Sequence, residues 1–291
     1  MFRKKINCRL IAAFAVLAAI FLVACPNDDS EPLEDPPPSP LVNFKVNDAG
    51  NAFENTGTNT EVPAPTVVNG EFKTVNGLKV FNTGGTKSDT QSEIPWWEGN
   101  YWDDYTDIGY VDLGVATGNL LGTLESFTIE TYLKLPADAQ VDRVGQYVWA
   151  FADQIAPTNA VWLNYREFTF LIKDAAKDPT DESVIAGWDA ASPLHGLDTW
   201  HHLLVTKDST TAVIYLDGEV VVNGPSTYLT TVFASGTLDT NYLGKPCYDP
   251  GVYDQGLFGT LFYSFAIYGE ALSANLVKEL YQDGPINTLR N

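Results

Sequence analysis

The chain has 291 residues, 45% of them hydrophobic, with 17 basic against 37 acidic side chains and a formal charge of −20. So large an acidic excess excludes phosphate-backbone binding, hence nucleic acid as a partner, and electrostatic adhesion to an anionic membrane. It leaves room for a neutral partner or a bound divalent cation.

The first residues, MFRKKINCRL, carry Arg3, Lys4, Lys5 and Arg9 ahead of an apolar run over 11–23. That run is too short and too early for a membrane span and reads as a signal sequence. Leu22-Val23-Ala24-Cys25 resembles a bacterial lipobox, in which the cysteine thiol is acylated and becomes the new N-terminus. The expectation is a lipoprotein signal peptide over 1–24 and a bilayer anchor on Cys25; several acyl chains on one cysteine give stable anchoring where one chain does not. An ordinary signal peptide or an anchor helix is the other reading. Removing four basic residues with the signal takes the mature charge to −24, from 13 basic and 37 acidic side chains. PNDDSEPLEDPPPSP follows Cys25 and has nothing to bury, so 25–40 reads as an acidic, Pro-rich tether. Its run at 27–31 resembles those that accompany export to the outer surface, which implies a lipid-anchored protein on a bacterial outer membrane or cell surface. Of the three cysteines, Cys8 leaves with the signal and Cys25 is acylated, so Cys247 has no disulfide partner in the chain.

From residue 41 short β-rich runs alternate with Gly, Asn, Asp and Pro clusters. Strands are expected at 41–46, 77–81, 109–113, 126–135, 147–151, 167–173, 201–207, 211–217, 219–222 and 261–268. The run at 126–135 has a clean period of two, with Phe127, Ile129, Thr131, Leu133 and Leu135 on one face and Thr128, Glu130, Tyr132 and Lys134 on the other. Ala212, Ile214 and Leu216 alternate likewise, and Asp217-Gly218 predicts a two-residue hairpin turn. One helix stands out: Ser273 as N-cap, Leu276 and Leu280 on one face, Asp283-Gly284-Pro285 as the stop. Many strands with one short C-terminal helix predict an all-β domain over 41–284, a two-sheet antiparallel jelly-roll sandwich, with 285–291 as a tail.

SFTIETYLKL, WHHLLVTKDSTTAVIYLDGEVV, NYLGKP and FGTLFYSFAIYGEALSANLVKELY occur in that order. Together they resemble the laminin-G-like, concanavalin A-like jelly-roll domains of bacterial surface proteins and of modules appended to glycosidases. The resemblance spans about 41–283 and is strongest after Phe127. It implies a lectin-like sandwich. Many relatives carry an acid three positions after the glycine of Phe-x-Gly; here Gly259 is followed at that distance by Phe262. A structural calcium tied to that acid is therefore in doubt, and no cofactor is expected.

Glycosidases on such a fold use paired carboxylates at alternate strand positions. Glu125 and Glu130 have odd spacing and take opposite faces, while Asp217 and Glu219 straddle a turn glycine. His201 and His202 are adjacent on one strand and point to opposite faces, so they form no common metal site, and Trp200-His201-His202 reads as structural. The expectation is a protein that is not an enzyme. The best binding candidate is PWWEGNYWDDY, with Trp96, Trp97, Tyr101, Trp102 and Tyr105 beside Asp103 and Asp104, in a stretch that looks too irregular for a strand. Sugar rings stack their C–H faces on such aromatics while carboxylates take the hydroxyls. The competing reading folds these tryptophans inward as a loop-borne core. Tyr248 and Tyr253 form a second patch before the last strand. Trp149, Trp162 and Trp188 are expected in the core. Asp103, Asp104 and Asp107 offer oxygen ligands without EF-hand spacing, so a solvated acidic loop is expected there. The functional expectation is a membrane-anchored lectin-like lipoprotein that binds glycan; the alternative is a structural or adhesive module that contacts a surface protein, and a glycoside hydrolase ranks third.

Overall fold

The period-two run at 126–135 becomes strand β9 (Phe127–Lys134), the middle of the larger sheet. The computed structural model describes residues 36–93, 101–137, 147–153, 159–165, 168–174, 182–185, 197–228, 238–247 and 256–290. On one side β9 pairs antiparallel with β14 (Trp200–Lys207), β15 (Thr211–Leu216) and β16 (Glu219–Pro225) in succession. On the other it pairs with β18 (Leu261–Tyr268), then β1 (Val42–Val46) and β2 (Phe53–Asn55). The hairpin β4 (Glu71–Val75) and β5 (Leu78–Asn82) adds to the other end of β18, completing nine strands. The expected turn at Asp217-Gly218 forms with φ of 54° and 82°, a left-handed pair that Asp and Gly tolerate.

The second sheet has seven strands. In spatial order they are β13 (Glu182–Ile185), β12 (Thr169–Asp174), β11 (Asn159–Asn164), β10 (Tyr147–Ala152), β17 (Thr240–Leu243), β8 (Tyr110–Asp112) and β3 (Thr66–Val68). All described pairings in both sheets are antiparallel, and the inner faces share one core. Phe127, Ile129 and Leu133 are buried there, as are Ile214 and Leu216, and Trp149 lies fully buried between Phe151 and Phe170. The all-β jelly-roll sandwich expected from the pattern is the fold observed.

Helices cover what the sheets leave open. Helix α1 (Gly114–Gly122) packs on β17, with Gly118 so close that a Cβ there would lie 2.6 Å from the Asn241 side chain. Helix α2 (Ala274–Asp283) is the one read from sequence, with Ser273 accepting the Leu276 N–H at 3.3 Å. The tail adds α3 (Ile286–Arg290), which buries Ile286 and Leu289. These last two helices lie over the outer face of the larger sheet, where Tyr132, Leu204 and Tyr268 join their apolar residues. Alternation in β9 therefore assigns faces correctly, yet both faces are buried.

Candidate functional site

The chain leaves β5 through Thr83-Gly84-Gly85, runs out along β6 (Thr86–Glu93), returns along β7 (Tyr101–Thr106) and enters β8. The two arms pair in a separate antiparallel ribbon, Thr86 opposite Thr106 and Glu93 opposite Tyr101. The buried Thr83 pins the ribbon's base. Its carbonyl accepts the Gly109 N–H at 2.6 Å, and its hydroxyl donates to the Leu257 carbonyl while accepting the Thr260 N–H at 2.9 Å. The segment after β17 closes at the same seam, because the Leu257 N–H reaches the Gly244 carbonyl and the Gly259 N–H the Gly84 carbonyl, both at 2.9 Å. At Gly85, φ is +107°, and a Cβ there would lie 2.9 Å from the Phe258 ring. Only glycine combines that backbone with so close an approach.

This seam joins the two segments singled out by composition. Of the expected site residues, Tyr101, Trp102, Asp103, Asp104 and Tyr105 lie in β7, while Trp96, Trp97, Tyr248 and Tyr253 fall outside the described residues. The stretch read as too irregular for a strand is thus, over Tyr101–Thr106, a regular one. Its partner TKSDTQSE carries no apolar alternation, so the backbone ladder that forms the ribbon has no signature in either arm. Both segments nonetheless spring from one point of the sandwich.

Beside the seam lies a cleft of about 550 Å³, within the range of small-ligand sites. Gly84, Gly85 and Phe258 are part of its lining. In the same lining Lys73 pairs with Glu71 at 2.6 Å, Asn82 donates to the same carboxylate at 3.1 Å, and Lys134 pairs with Asp198 at 2.7 Å. The hydrogen bonds from Lys73 and then Asn82 hold Glu71 below the usual carboxylate range. Each carboxylate of the cleft thus has a lysine partner, so the lining presents donors and acceptors with little net charge, a pattern that suits neutral hydroxyls. In the second sheet, Tyr110 of β8 and Tyr242 of β17 stand half-buried with centroids 5.1 Å apart, and Lys245 sits 4.1 Å and 4.6 Å from the two ring centres. Neither tyrosine was singled out by sequence. The available signal was alternation, since each sits next to a core residue, Val111 or Leu243.

Of the residues weighed for catalysis, His202, Glu130, His201 and Asp217 are joined to one another by hydrogen bonds. His202 contacts the buried Glu130 at 2.8 Å, and the other carboxylate oxygen accepts the Tyr268 hydroxyl at 2.7 Å. Burial pushes Glu130 up, but the hydrogen bond and charge of His202, the Tyr268 hydroxyl and the charge of Lys45 outweigh it and hold the carboxyl below its ordinary range. His201 meets Asp217 instead, at 2.8 Å, so the two adjacent rings engage different carboxylates. Phe262, where many relatives place an acid, is fully buried in the core. Trp149 and Trp162 are both buried, the latter outside the main core, and Trp188 lies outside the described residues.

Two antiparallel sheets sharing one core in this strand order define a concanavalin A-like jelly-roll sandwich. The chain belongs to the laminin G-like family described as the concanavalin A-like lectin/glucanases superfamily, whose profile matches residues 106–278. No curated protein matches the sequence. Among solved structures, the receptor binding domain of a botulinum neurotoxin C/D mosaic serotype is similar at 12% identity and a TM-score of 0.54, over 84% of this chain and 51% of that one. The binding domain of botulinum neurotoxin DC, in complex with rat synaptotagmin II, matches at 13% identity and 0.52, with 84% and 51% covered. Domain 4 of AbnA, a GH43 extracellular arabinanase from Geobacillus stearothermophilus in complex with arabinotriose, matches at 15% and 0.52, covering 84% of this chain and 98% of that domain. The chain thus spans about half the length of the neurotoxin domains and nearly all of the arabinanase domain. At these identities the likeness is one of fold.

Proposed function

We propose that this protein is a non-catalytic glycan-binding module, held by lipid on Cys25 at a bacterial outer membrane or cell surface. One observation carries the reading: the 550 Å³ cleft brings Phe258 together with paired carboxylate, amide and ammonium groups, at the root of a ribbon bearing Tyr101, Trp102 and Tyr105. A sugar needs both parts, an aromatic plane for its C–H face and fixed polar groups for its hydroxyls. Support also comes from a neighbour of the same fold, the arabinanase domain, whose structure holds arabinotriose. The absence of catalysis rests on the carboxylates weighed above, since Glu130 and Asp217 are committed to structural networks and those of the cleft are paired with lysine. The test is a glycan array with the chain from residue 26 onward, followed by calorimetry on the hits. Phe258→Ala and Lys134→Ala should each weaken a hit by about tenfold, the scale of one interface anchor. A hit that neither change touches would place the site elsewhere. A surface protein that binds while every glycan fails would favour an adhesive module.

A further inference from the structure

Strand register gives the rim cleft a length. Glu71 of β4 stands opposite Asn82 of β5, Asn82 opposite Leu261 of β18, and Leu261 opposite Lys134 of β9. All four line the cleft. Their sequence neighbours Phe72, Phe81, Phe262 and Leu133 pack into the core, so by alternation the row faces outward. Four adjacent strands at a spacing of about 4.8 Å place the two ends of this row about 14 Å apart. Beyond the strand ends, Gly84, Gly85, Pro136 and Phe258 complete the lining.

The chemistry along the row is the same at both ends and different in the middle. At one end Glu71 pairs with Lys73. The buried Asn82 holds that carboxylate in place, donating to it while accepting the Gly84 N–H at 3.2 Å. At the other end Lys134 pairs with Asp198. Lys134 is the least exposed of the four charged side chains and still keeps 25% of its surface, so both pairs are open to a ligand. Between them lies the half-buried, purely apolar Leu261. Each end thus joins an ammonium donor to a carboxylate acceptor. Two adjacent sugar hydroxyls match such a set, one accepting and the other donating. No single ring reaches both ends. A sugar unit advances a linear chain by about one strand spacing, so three consecutive units are needed to touch both pairs and cross the apolar middle.

We propose that the cleft takes three consecutive units of an uncharged linear oligosaccharide laid across the strands. The outer units each set adjacent hydroxyls on a lysine–carboxylate pair, and the middle unit lies over Leu261. The inference rests on the glycan reading above and adds to it the length and charge of the ligand. Calorimetric titrations of the chain from residue 26 onward would use linear gluco-, xylo- and arabino-oligosaccharides of one to five units, with trigalacturonic acid as the charged control. In a series that binds, the three-unit member should bind at least about tenfold more tightly than the two-unit member, the scale of one added anchor, and the four- and five-unit members no more tightly than three. Lys73→Ala and Lys134→Ala should each bring the three-unit affinity down to the two-unit level. Either change should alter two-unit binding by no more than about twofold, because a two-unit chain still has the other pair. Trigalacturonic acid should not bind, since each lysine already faces a carboxylate in a strongly acidic chain. Full affinity for a single unit, affinity still rising at five units, a three-unit step that survives Lys73→Ala, or binding of trigalacturonic acid would overturn this inference and leave the glycan reading standing. Failure of all three series also overturns it, and the glycan array then decides the broader reading by itself.

Discussion

Replacing Asp217 by Asn isolates the charge of one carboxylate on which three segments converge. In the native protein Asp217 Oδ1 accepts the His202 N–H at 3.0 Å, while Oδ2 contacts His201 Nδ1 and accepts from Arg290 Nη2, both at 2.8 Å. Through Arg290, which also donates to the Trp200 carbonyl at 2.9 Å, the same group fastens α3 to β14. Asn keeps the left-handed turn, because it tolerates φ of 54° as well as Asp does, and it keeps the bond to the His202 N–H. The two contacts at Oδ2 lose a charged acceptor, and Arg290 then faces an amide donor. Hydrogen bonds to charged groups contribute about 1.5–3 kcal/mol each, and Arg290 is 30% exposed, so solvent screens part of its share. The expected loss at pH 7 is about 2–4 kcal/mol, which shifts a urea midpoint by roughly 1 M if the slope is about 3 kcal/mol/M. The pH dependence supplies a second reading. Burial pushes Asp217 up, but the bonds from His201 and the His202 N–H, with the charge of Arg290, hold its folded pKa below the ordinary value. Its contribution is therefore complete above the unfolded carboxylate pKa of about 3.9 and is lost as pH falls through the folded value. Urea curves of the two proteins should stand apart at pH 7 and converge as the acid limb is descended. A difference under about 0.5 kcal/mol at pH 7, or one that persists undiminished at pH 2, refutes this account.

Other outcomes follow from the same structure. Trp149→Ala opens the fully buried core and should cost about 3–5 kcal/mol in urea unfolding, whereas Trp162→Phe should cost clearly less, since it leaves a smaller cavity and removes an indole N–H that has no acceptor among the described residues. Cys25→Ser should move the protein out of the detergent phase in phase separation; a variant that stays there rules out the lipid anchor. Alanine at Trp96, Trp97 or Trp102 should leave the melting temperature nearly unchanged and cost about 1–3 kcal/mol of glycan binding. A sharp fall in melting temperature would instead assign those rings to a core. Gly85→Ala should destabilise the seam, since φ of +107° and the Phe258 ring both exclude a Cβ, and hydrogen exchange should rise first at the Gly109 and Gly259 amides that close it.

Strands were legible where alternation or a β-rich run lasted for six residues or more, as in β9, β15 and β18. Short strands such as β2, β3 and β17 were not, because three or four residues carry too little pattern and their partners lie far away in sequence. Helix α1 was hidden by Gly114, Gly118 and Gly122 within GVATGNLLG, residues that argue against a helix until β17 supplies a surface requiring a small one. Alternation also could not tell that Glu130 and Tyr132 are covered: it separates two faces but is silent on what packs against each. At the site, composition flagged both aromatic segments, but the cleft between their roots stayed invisible. Its lining, Glu71, Lys73, Asn82, Lys134, Asp198 and Phe258, is gathered from five parts of the chain, and only closure of the sheets makes these residues neighbours.

Strand β18 also has a mechanical consequence. At its far end the Leu41 N–H bonds the Ile267 carbonyl at 2.8 Å, where the chain arrives from its N-terminal side, and just before its near end Gly259 bonds the root of the ribbon. The two points are eight residues apart, about 26 Å at a strand rise of about 3.3 Å per residue. A protein tethered through its N-terminal side and gripped by a ligand at the rim is therefore pulled from opposite ends of the sandwich. The load passes between β1, drawn by its first residue, and the antiparallel β18, drawn by its own first residue, along the register from Val42 opposite Ile267 to Lys45 opposite Ser264. Hydrogen bonds lying across such a pull are loaded in shear and share the force, whereas a pull that peels one strand from its end breaks them singly. Were the chain anchored through Cys25 and loaded at the rim cleft, as proposed above, this connectivity would set its strongest direction along the line between the two points.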